Sequence, residues 1–229
     1  MITNPSFKSI AVLFLAGTGL FGLASCSKSN SSSGNDARVM YTNGCVGATA
    51  TSFAINGSTL ANASGVAYLG NSGYHSVVSG SASMSSTLTG VGTLGSLNTT
   101  LNANGSYSVF DCGTVLADTL VIVADELPAT SGSYAYARLV NVSSDTTAKA
   151  ITGAVGNTVV GSGVAYGAAS GFAQFTPGAY SLTALNVNKP GNVATLSNVQ
   201  LSGGKIYTLL YSGNSNVSVG FKITVINNN

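Results

Sequence analysis

The chain has 229 residues, of which 6% are charged: eight Lys/Arg against six Asp/Glu, with one His and no Trp. So near-neutral a balance supplies no basic face, so no nucleic-acid partner is expected, and one His with six acids leaves little for acid–base chemistry. Apolar residues make up 45%, Gly is abundant at 29 and Pro scarce at 4, a composition that reads as all-β with many turns.

Residues 1–25 have the three parts of a secretory leader: a polar start with Lys8, an apolar run from Ile10 to Leu23, then the small residues Ala24 and Ser25. The run is short for a membrane span and is interrupted by Gly17, Gly19 and Gly22. Leu23-Ala24-Ser25-Cys26 resembles the bacterial lipobox. That resemblance implies cleavage before Cys26, diacylglycerol on its thiol and an acyl chain on its new amine. A thiolate is the nucleophile such a step needs. Two or three chains, at about 0.8 kcal/mol per buried methylene, make a stable anchor to a lipid bilayer. Residues 26–36 follow as a tether almost wholly of Ser, Asn and Gly, without an apolar side chain after Cys26; as a coil its ten residues beyond the cysteine span about 17–19 Å. Ser27 is not the acidic residue that retains enteric lipoproteins in the inner membrane, so the resemblance implies the outer membrane, on its periplasmic or its surface face.

Beyond the tether the sequence repeats. Gly65-Val66-Ala67-Tyr68 with Gly73-Tyr74 returns as Gly163-Val164-Ala165-Tyr166 with Gly171-Phe172, 98 residues on. Ala37-Arg38, Leu101 and Tyr107 match Ala137-Arg138, Leu201 and Tyr207 at 100. Such landmarks define an internal repeat, giving domains at 37–126 and 136–229 joined by a connector at 127–135. In the first copy, short strands are expected over 38–41, 52–55, 65–69, 73–78, 82–88, 96–101, 106–110 and 119–124, with turns at Asn56-Gly57, Asn104-Gly105 and Cys112-Gly113. The second copy shows the period-2 pattern more cleanly, at 180–185, 206–209 and 217–225. No window sustains a 3.6-residue period. The fold class is therefore all-β, two tandem immunoglobulin-like β-sandwich domains. The repeated glycines are expected to permit a bulge or close strand approach, and the repeated tyrosine to pack in the same place twice.

The second copy resembles the bacterial "domain of unknown function 4397", usually found in tandem in secreted or anchored proteins. The residues that carry the likeness are 137–145 (Ala-Arg-Leu-Val-Asn-Val-Ser-Ser-Asp), Gly163-Val164-Ala165-Tyr166, Ser170-Gly171-Phe172, Pro177-Gly178-Ala179-Tyr180 and 204–208 (Gly-Lys-Ile-Tyr-Thr). The family's start is commonly Ala-Arg-Val-Arg, then His-Ala-Ser-Pro-Asp; here Asn141 stands for the His and Ser144 for the Pro, while Ser143 and Asp145 match. The resemblance implies a fold and a repeat number and no activity.

With Cys26 lipidated, Cys45 and Cys112 remain, and at the offset of 100 their counterparts are Asp145 and Ser212. Paired presence and paired absence in an oxidising compartment point to a disulfide, with two free thiols as the alternative. His75 is the sole histidine and lacks a nucleophile-elbow sequence, so an exposed strand position is expected for it. Asp125-Glu126, adjacent on a strand, point to opposite faces. Asp111 and Asp118 fall short of the six or more oxygens calcium takes, and the glycine-rich segments carry no Gly-Lys-Ser/Thr; no metal or other cofactor is expected. Tyr68, Tyr74, Tyr107, Tyr166, Phe172, Tyr180 and Tyr207 recur and read as packing, whereas Tyr41, Tyr134, Tyr136 and Tyr211 read as surface candidates. Ser143, Asp145 and Tyr136 are the binding residues to look at, and Asp118-Thr119-Leu120 and Asp145-Thr146-Thr147 resemble a short O-glycosylation motif. The expectation is a membrane-anchored, non-catalytic envelope lipoprotein that binds protein or glycan. Its alternatives are an accessory subunit of an outer-membrane assembly, and a hydrolase.

Overall fold

The computed structural model describes residues 35–144, 150–214 and 220–229, with the backbone alone at 189–192. The leader, Cys26, nearly all of the tether and Asp145 lie outside the described residues. The first repeat forms β1 (Ala37–Val46), β2 (Ala50–Ile55), β3 (Ser58–Thr59), β4 (Val66–Ala67), β5 (Asn71–Val77), β6 (Gly80–Leu88), β7 (Gly92–Leu101), β8 (Ser106–Thr114) and β9 (Ala117–Ala124). The second forms β10 (Ala135–Asn141), β11 (Ala150–Val155), β12 (Thr158–Ala165), β13 (Ala173–Phe175), β14 (Gly178–Asn186), β15 (Lys189–Leu201), β16 (Ile206–Asn214) and β17 (Gly220–Asn227). The all-β expectation holds, and each repeat is a sandwich of an inner and an outer sheet.

The inner sheets run β5-β1-β8-β9 and β13-β10-β16-β17; the outer sheets run β3-β2-β6-β7, with β4 beside β2, and β12-β11-β14-β15. Each inner sheet contains one parallel pair, β1 with β8 and β10 with β16. Parallel neighbours need a long crossover, and the outer sheet is built within it.

Three apolar cores result. One fills the first sandwich around Val39, Tyr41, Phe53, Met84, Leu101 and Val109. A second fills the other around Leu139, Ile151, Leu182, Leu201, Leu209 and Tyr211. The third lies between the two inner sheets and joins Met40, Phe110 and Cys112 to Val140, Val142, Leu210 and Ile226. The layers are thus outer, inner, inner, outer, and the inner strands are covered on both faces. Burial along them shows it: β8 and β16 are buried at nearly every residue, whereas β2 and β11 alternate. Residues 127–135 therefore link two sandwiches that share a core.

Strand pairing also corrects the alignment of the repeats. Val39 lies across from Tyr107 and Ala137 across from Tyr207. The first strands therefore superpose at 137 − 39 = 98, which sets Arg38 on Tyr136, Met40 on Arg138 and Cys45 on Ser143. The Ala-Arg match at 100 is a coincidence of composition, and Asp145 is not the counterpart of Cys45. Pairing of Thr51 with Val66 and of Ile151 with Val164 sets β2 on β11 at 100, so two extra residues fall between the first two strands of the second repeat.

Candidate functional site

The signature asparagine and the glycine motif meet in both repeats. Asn43 donates through Nδ2 to the Val66 carbonyl at 3.0 Å and accepts from the Cys45 N–H at 3.1 Å. Asn141 does the same with Val164, at 3.1 Å, and Ser143, at 3.1 Å. The backbone completes the clamp: Asn43 exchanges bonds with Leu69 and Gly70, and Asn141 with Gly167 and Ala168. Gly65 and Gly163 hold φ of 66° and 63°, a region glycine enters freely. The valines enter the two sandwich cores. The tyrosines cross the seam: the Tyr68 hydroxyl lies beside that of Ser212 without hydrogen-bond geometry, and Tyr166 lies within electrostatic reach of Cys112. The motif fixes the fold and the pairing of the repeats.

At the other end of the seam sits a polar network made by both repeats. Arg138 pairs with Asp125 Oδ1, both side chains being buried. Ser108 and Tyr74 donate to Asp125 Oδ2 at 2.8 and 2.5 Å. Arg138 donates to Thr208 at 3.0 Å and to Ser108 at 3.3 Å, and Thr208 donates to Asn228, whose Nδ2 returns to the Tyr74 hydroxyl at 3.2 Å. Burial, then the Asp125 charge, pushes the Tyr74 phenol up to about 12. A cavity of about 580 Å³ opens beside it, lined in part by Arg138, Phe172, Glu126 and Pro128. The guanidinium stacks on the Phe172 ring at 4.8 Å while its Nε and Nη2 are already engaged. Arg138 therefore works as the central tie of a structural network.

A second polar cluster belongs to the first sandwich alone. Asp111, fully buried, accepts from Tyr41 and from Ser86 at 2.6 Å. Asp118 lies next to it, and burial followed by the Asp111 charge raises its carboxyl to about 7. Burial raises Asp111 too. In the second sandwich Tyr211 takes the place of Asp111 and stacks on Phe221 at 5.3 Å. Among the described residues no group of three His, Cys, Asp or Glu side chains is placed to hold a metal ion.

The expected disulfide is not formed: Cys45 and Cys112 are free, buried thiols. In the parallel pair Cys45 lies across from Gly113, and Cys112 across from Gly44. The two cysteines do share one end of the sandwich. They are one step out of register, however, and successive strand residues point to opposite faces. Cys45 points toward Asp118, whereas Cys112 joins the core between the repeats. Burial raises both thiols, which makes them poor nucleophiles.

Ser143 is buried and donates to the Gly213 carbonyl at 3.0 Å, a structural bond beyond the end of β10. Tyr136 stands near the opposite end of that strand, its hydroxyl 3.3 Å from Gln174 Oε1. Seven residues of extended chain, roughly 23 Å, separate them, so they form no common site. Tyr41 and Tyr211, expected at the surface, are fully buried, whereas Tyr134 is exposed. His75 is half-buried, with Nε2 2.9 Å from the Ser72 carbonyl. The pairing of Arg138 with Asp125 escaped sequence reasoning because it joins one repeat to the other.

The family model described as "Domain of unknown function (DUF4397)" matches residues 37–152 and 135–229. The chain belongs to that family, in tandem. No curated protein matches it. Among solved structures, a candidate cell adhesion protein from Bacteroides uniformis ATCC 8492 aligns at 8% identity over 85% of this chain and 99% of that one, with a TM-score of 0.28. A family CBM26 module from Eubacterium rectale Amy13K, solved with maltoheptaose, aligns at 14% identity over 83% and 96%, with a TM-score of 0.24. Likenesses at such scores carry no weight for function.

Proposed function

We propose that the chain is a lipid-anchored, non-catalytic binding or scaffolding module of the bacterial outer membrane, held by acylated Cys26 and presenting a stiff pair of sandwiches to an envelope protein or glycan. The observation that carries this reading is where the few chemical groups go. Asp111 and Asp125 are buried and hydrogen-bonded inside the fold, Arg138 ties the repeats together, and both described cysteines are buried. What faces solvent is mostly uncharged strand and hairpin, with Arg38, Glu126 and Lys222 among its few charges. The lipobox supplies the anchor and the tether the local freedom.

Mass spectrometry of the amino-terminal peptide from native membranes tests the anchor. Acylated Cys26 is expected, and Cys26→Ala should leave the protein unlipidated; an unmodified Cys26 in the mature protein overturns it. Turnover of ester or glycan substrates by the purified protein, abolished by His75→Ala or Asp118→Asn, would overturn the non-catalytic part.

A further inference from the structure

The cavity beside Arg138 is walled by main-chain groups that the fold leaves unpaired. β9 is the last strand of its inner sheet. Antiparallel strands exchange bonds at alternate residues, and the Asp125 N–H, bonded to the Ser106 carbonyl, sets the phase. Val123 therefore exchanges bonds with Ser108, whereas the N–H and C=O of Ile122 and Ala124 point away from β8. Near Leu120 the edge is covered by β7, since a Cβ on Gly95 would lie 3.2 Å from the Leu120 nitrogen. Ile122 and Ala124 line the cavity instead. On the wall made by the second repeat, Ala169 is bridged to Val140 through bonds that its neighbours make. The Ser170 N–H reaches the Leu139 carbonyl and the Asn141 N–H the Ala168 carbonyl, so the N–H and C=O of Ala169 turn away from β10. Ala169 lines the same cavity. None of the three residues makes another main-chain bond among the described residues.

We infer that this cavity takes an extended, basic segment of a partner protein, which adds to the open edge of β9 as a further strand. Ile122 and Ala124 present donor and acceptor pairs that repeat at about 6.8 Å, the period at which another extended main chain presents its own. Natural edge strands are commonly blunted by Lys, Pro or a bulge. Residues 119–124 (Thr-Leu-Val-Ile-Val-Ala) carry neither residue, and their ladder to β8 runs without a register shift. Charge gives the segment its sign. Arg138 lines the cavity, but its charge is matched by Asp125, whereas Glu126 is exposed and forms no ion pair among the described residues. A Lys or Arg of the incoming strand is therefore favoured beside Glu126, and the Phe172 ring and Pro128 offer apolar contact to its neighbours. The cavity volume of about 580 Å³ lies in the range of ordinary ligand sites. This inference rests on the binding-module reading above and narrows it to a protein partner at one place.

The probe is a library of random dodecapeptides displayed on phage, and the target is the full chain as a bacterial host produces it, in detergent. Selection should enrich peptides rich in β-branched residues that carry a Lys or Arg, and these are then synthesised. Ala124→Pro removes an N–H that no protein group uses and blocks a strand from pairing there. With the melting temperature retained, it should weaken the selected peptides about tenfold or more. Glu126→Lys, at an exposed position, should weaken them severalfold, and methylation of alternate peptide nitrogens should abolish binding. If Ala124→Pro unfolds the protein, the Glu126→Lys variant and the methylated peptides decide alone. Peptides that bind both variants as well as the parent, or that ignore methylation, overturn the inference while the chain remains a binding module with its site elsewhere. A library from which nothing is enriched overturns it too. If a glycan array probed with the same protein is also blank, the binding-module reading fails with it.

Discussion

Arg138 of the second repeat and Asp125 of the first form a buried ion pair at a place where the symmetry of the repeats offers Met40 and Asn228. The equivalence of Asp125 and Asn228 is visible in the backbone, since each donates its N–H at 2.8 Å to the first residue of its neighbouring strand, Ser106 or Ile206. One buried charge lies on each side of the seam. Removing one partner leaves the other buried and uncompensated, at a cost of about 3–5 kcal/mol, whereas replacing both with neutral residues is often close to neutral. Arg138→Met and Asp125→Asn should therefore each destabilise strongly, and the double variant should recover most of the loss. Urea unfolding of the four proteins in a double-mutant cycle measures it; additive losses would show that the pair is not coupled.

Asn43 and Asn141 each bridge the end of an inner strand to the carbonyl of the glycine motif. Replacing either by Ala leaves a buried carbonyl and a buried N–H short of a partner, at about 1–3 kcal/mol in all. The loss should be local to its own repeat. Hydrogen exchange should show faster opening around 66–70 in Asn43→Ala and around 164–168 in Asn141→Ala. Loss of protection spread evenly over both repeats would contradict the local clamp.

The outer strands were legible in the sequence because one face meets water: Tyr180 to Leu185 alternates, and β14 alternates with it. The inner strands were legible only in part: strands were expected at 106–110, 119–124 and 206–209, but β8 runs on to Thr114 and β16 to Asn214. β1 was expected to stop near Tyr41, yet it runs to Val46 through Thr42, Asn43 and Gly44, all inside the protein. A strand covered on both faces has no alternation to read, and its polar residues look like a turn until their partners are known. Gly44 shows the constraint: a Cβ there would lie 2.5 Å from the Asp111 carbonyl and 3.2 Å from Val142 of the other repeat. The same blindness misplaced Tyr41 and Tyr211, polar aromatics whose stacking on Phe53 and Phe221 only the fold reveals. The disulfide was expected from the right pole and the wrong face. A single residue of register, which sequence spacing does not resolve, separates the two.

Free thiols in that arrangement make a direct prediction. Cys45 and Cys112 should resist a thiol reagent in the native protein and both react once denaturant is added, without prior reduction. Cys112→Ser copies Ser212 of the second repeat, and Cys45→Ser copies Ser143, so both variants should fold. Absence of titratable thiol in denaturant would restore the bridge and require β1 or β8 to shift.

The Asp111–Asp118 pair sets the pH dependence of the first sandwich. Burial and the neighbouring Asp111 charge hold the Asp118 carboxyl at about 7, against an ordinary value of 3.8. Asp111 is raised as well, by burial, and the Cys45 thiol beside them is raised too far to lose its proton in this range. Between pH 4 and 7 the native state keeps a proton that the unfolded chain has released, so stability is greatest at the acid end and falls as pH rises through about 7. The melting temperature should therefore drop from mildly acid to mildly alkaline buffer. Asp118→Asn has no proton to lose and keeps an N–H donor in the same place. It should match the parent at the acid end, exceed it at the alkaline end, and show a flatter profile between. A parent that gains stability over that interval, or an Asn variant with the parent's slope, would mean that Asp118 is ionised in the fold and that its partner is something other than the Asp111 carboxyl.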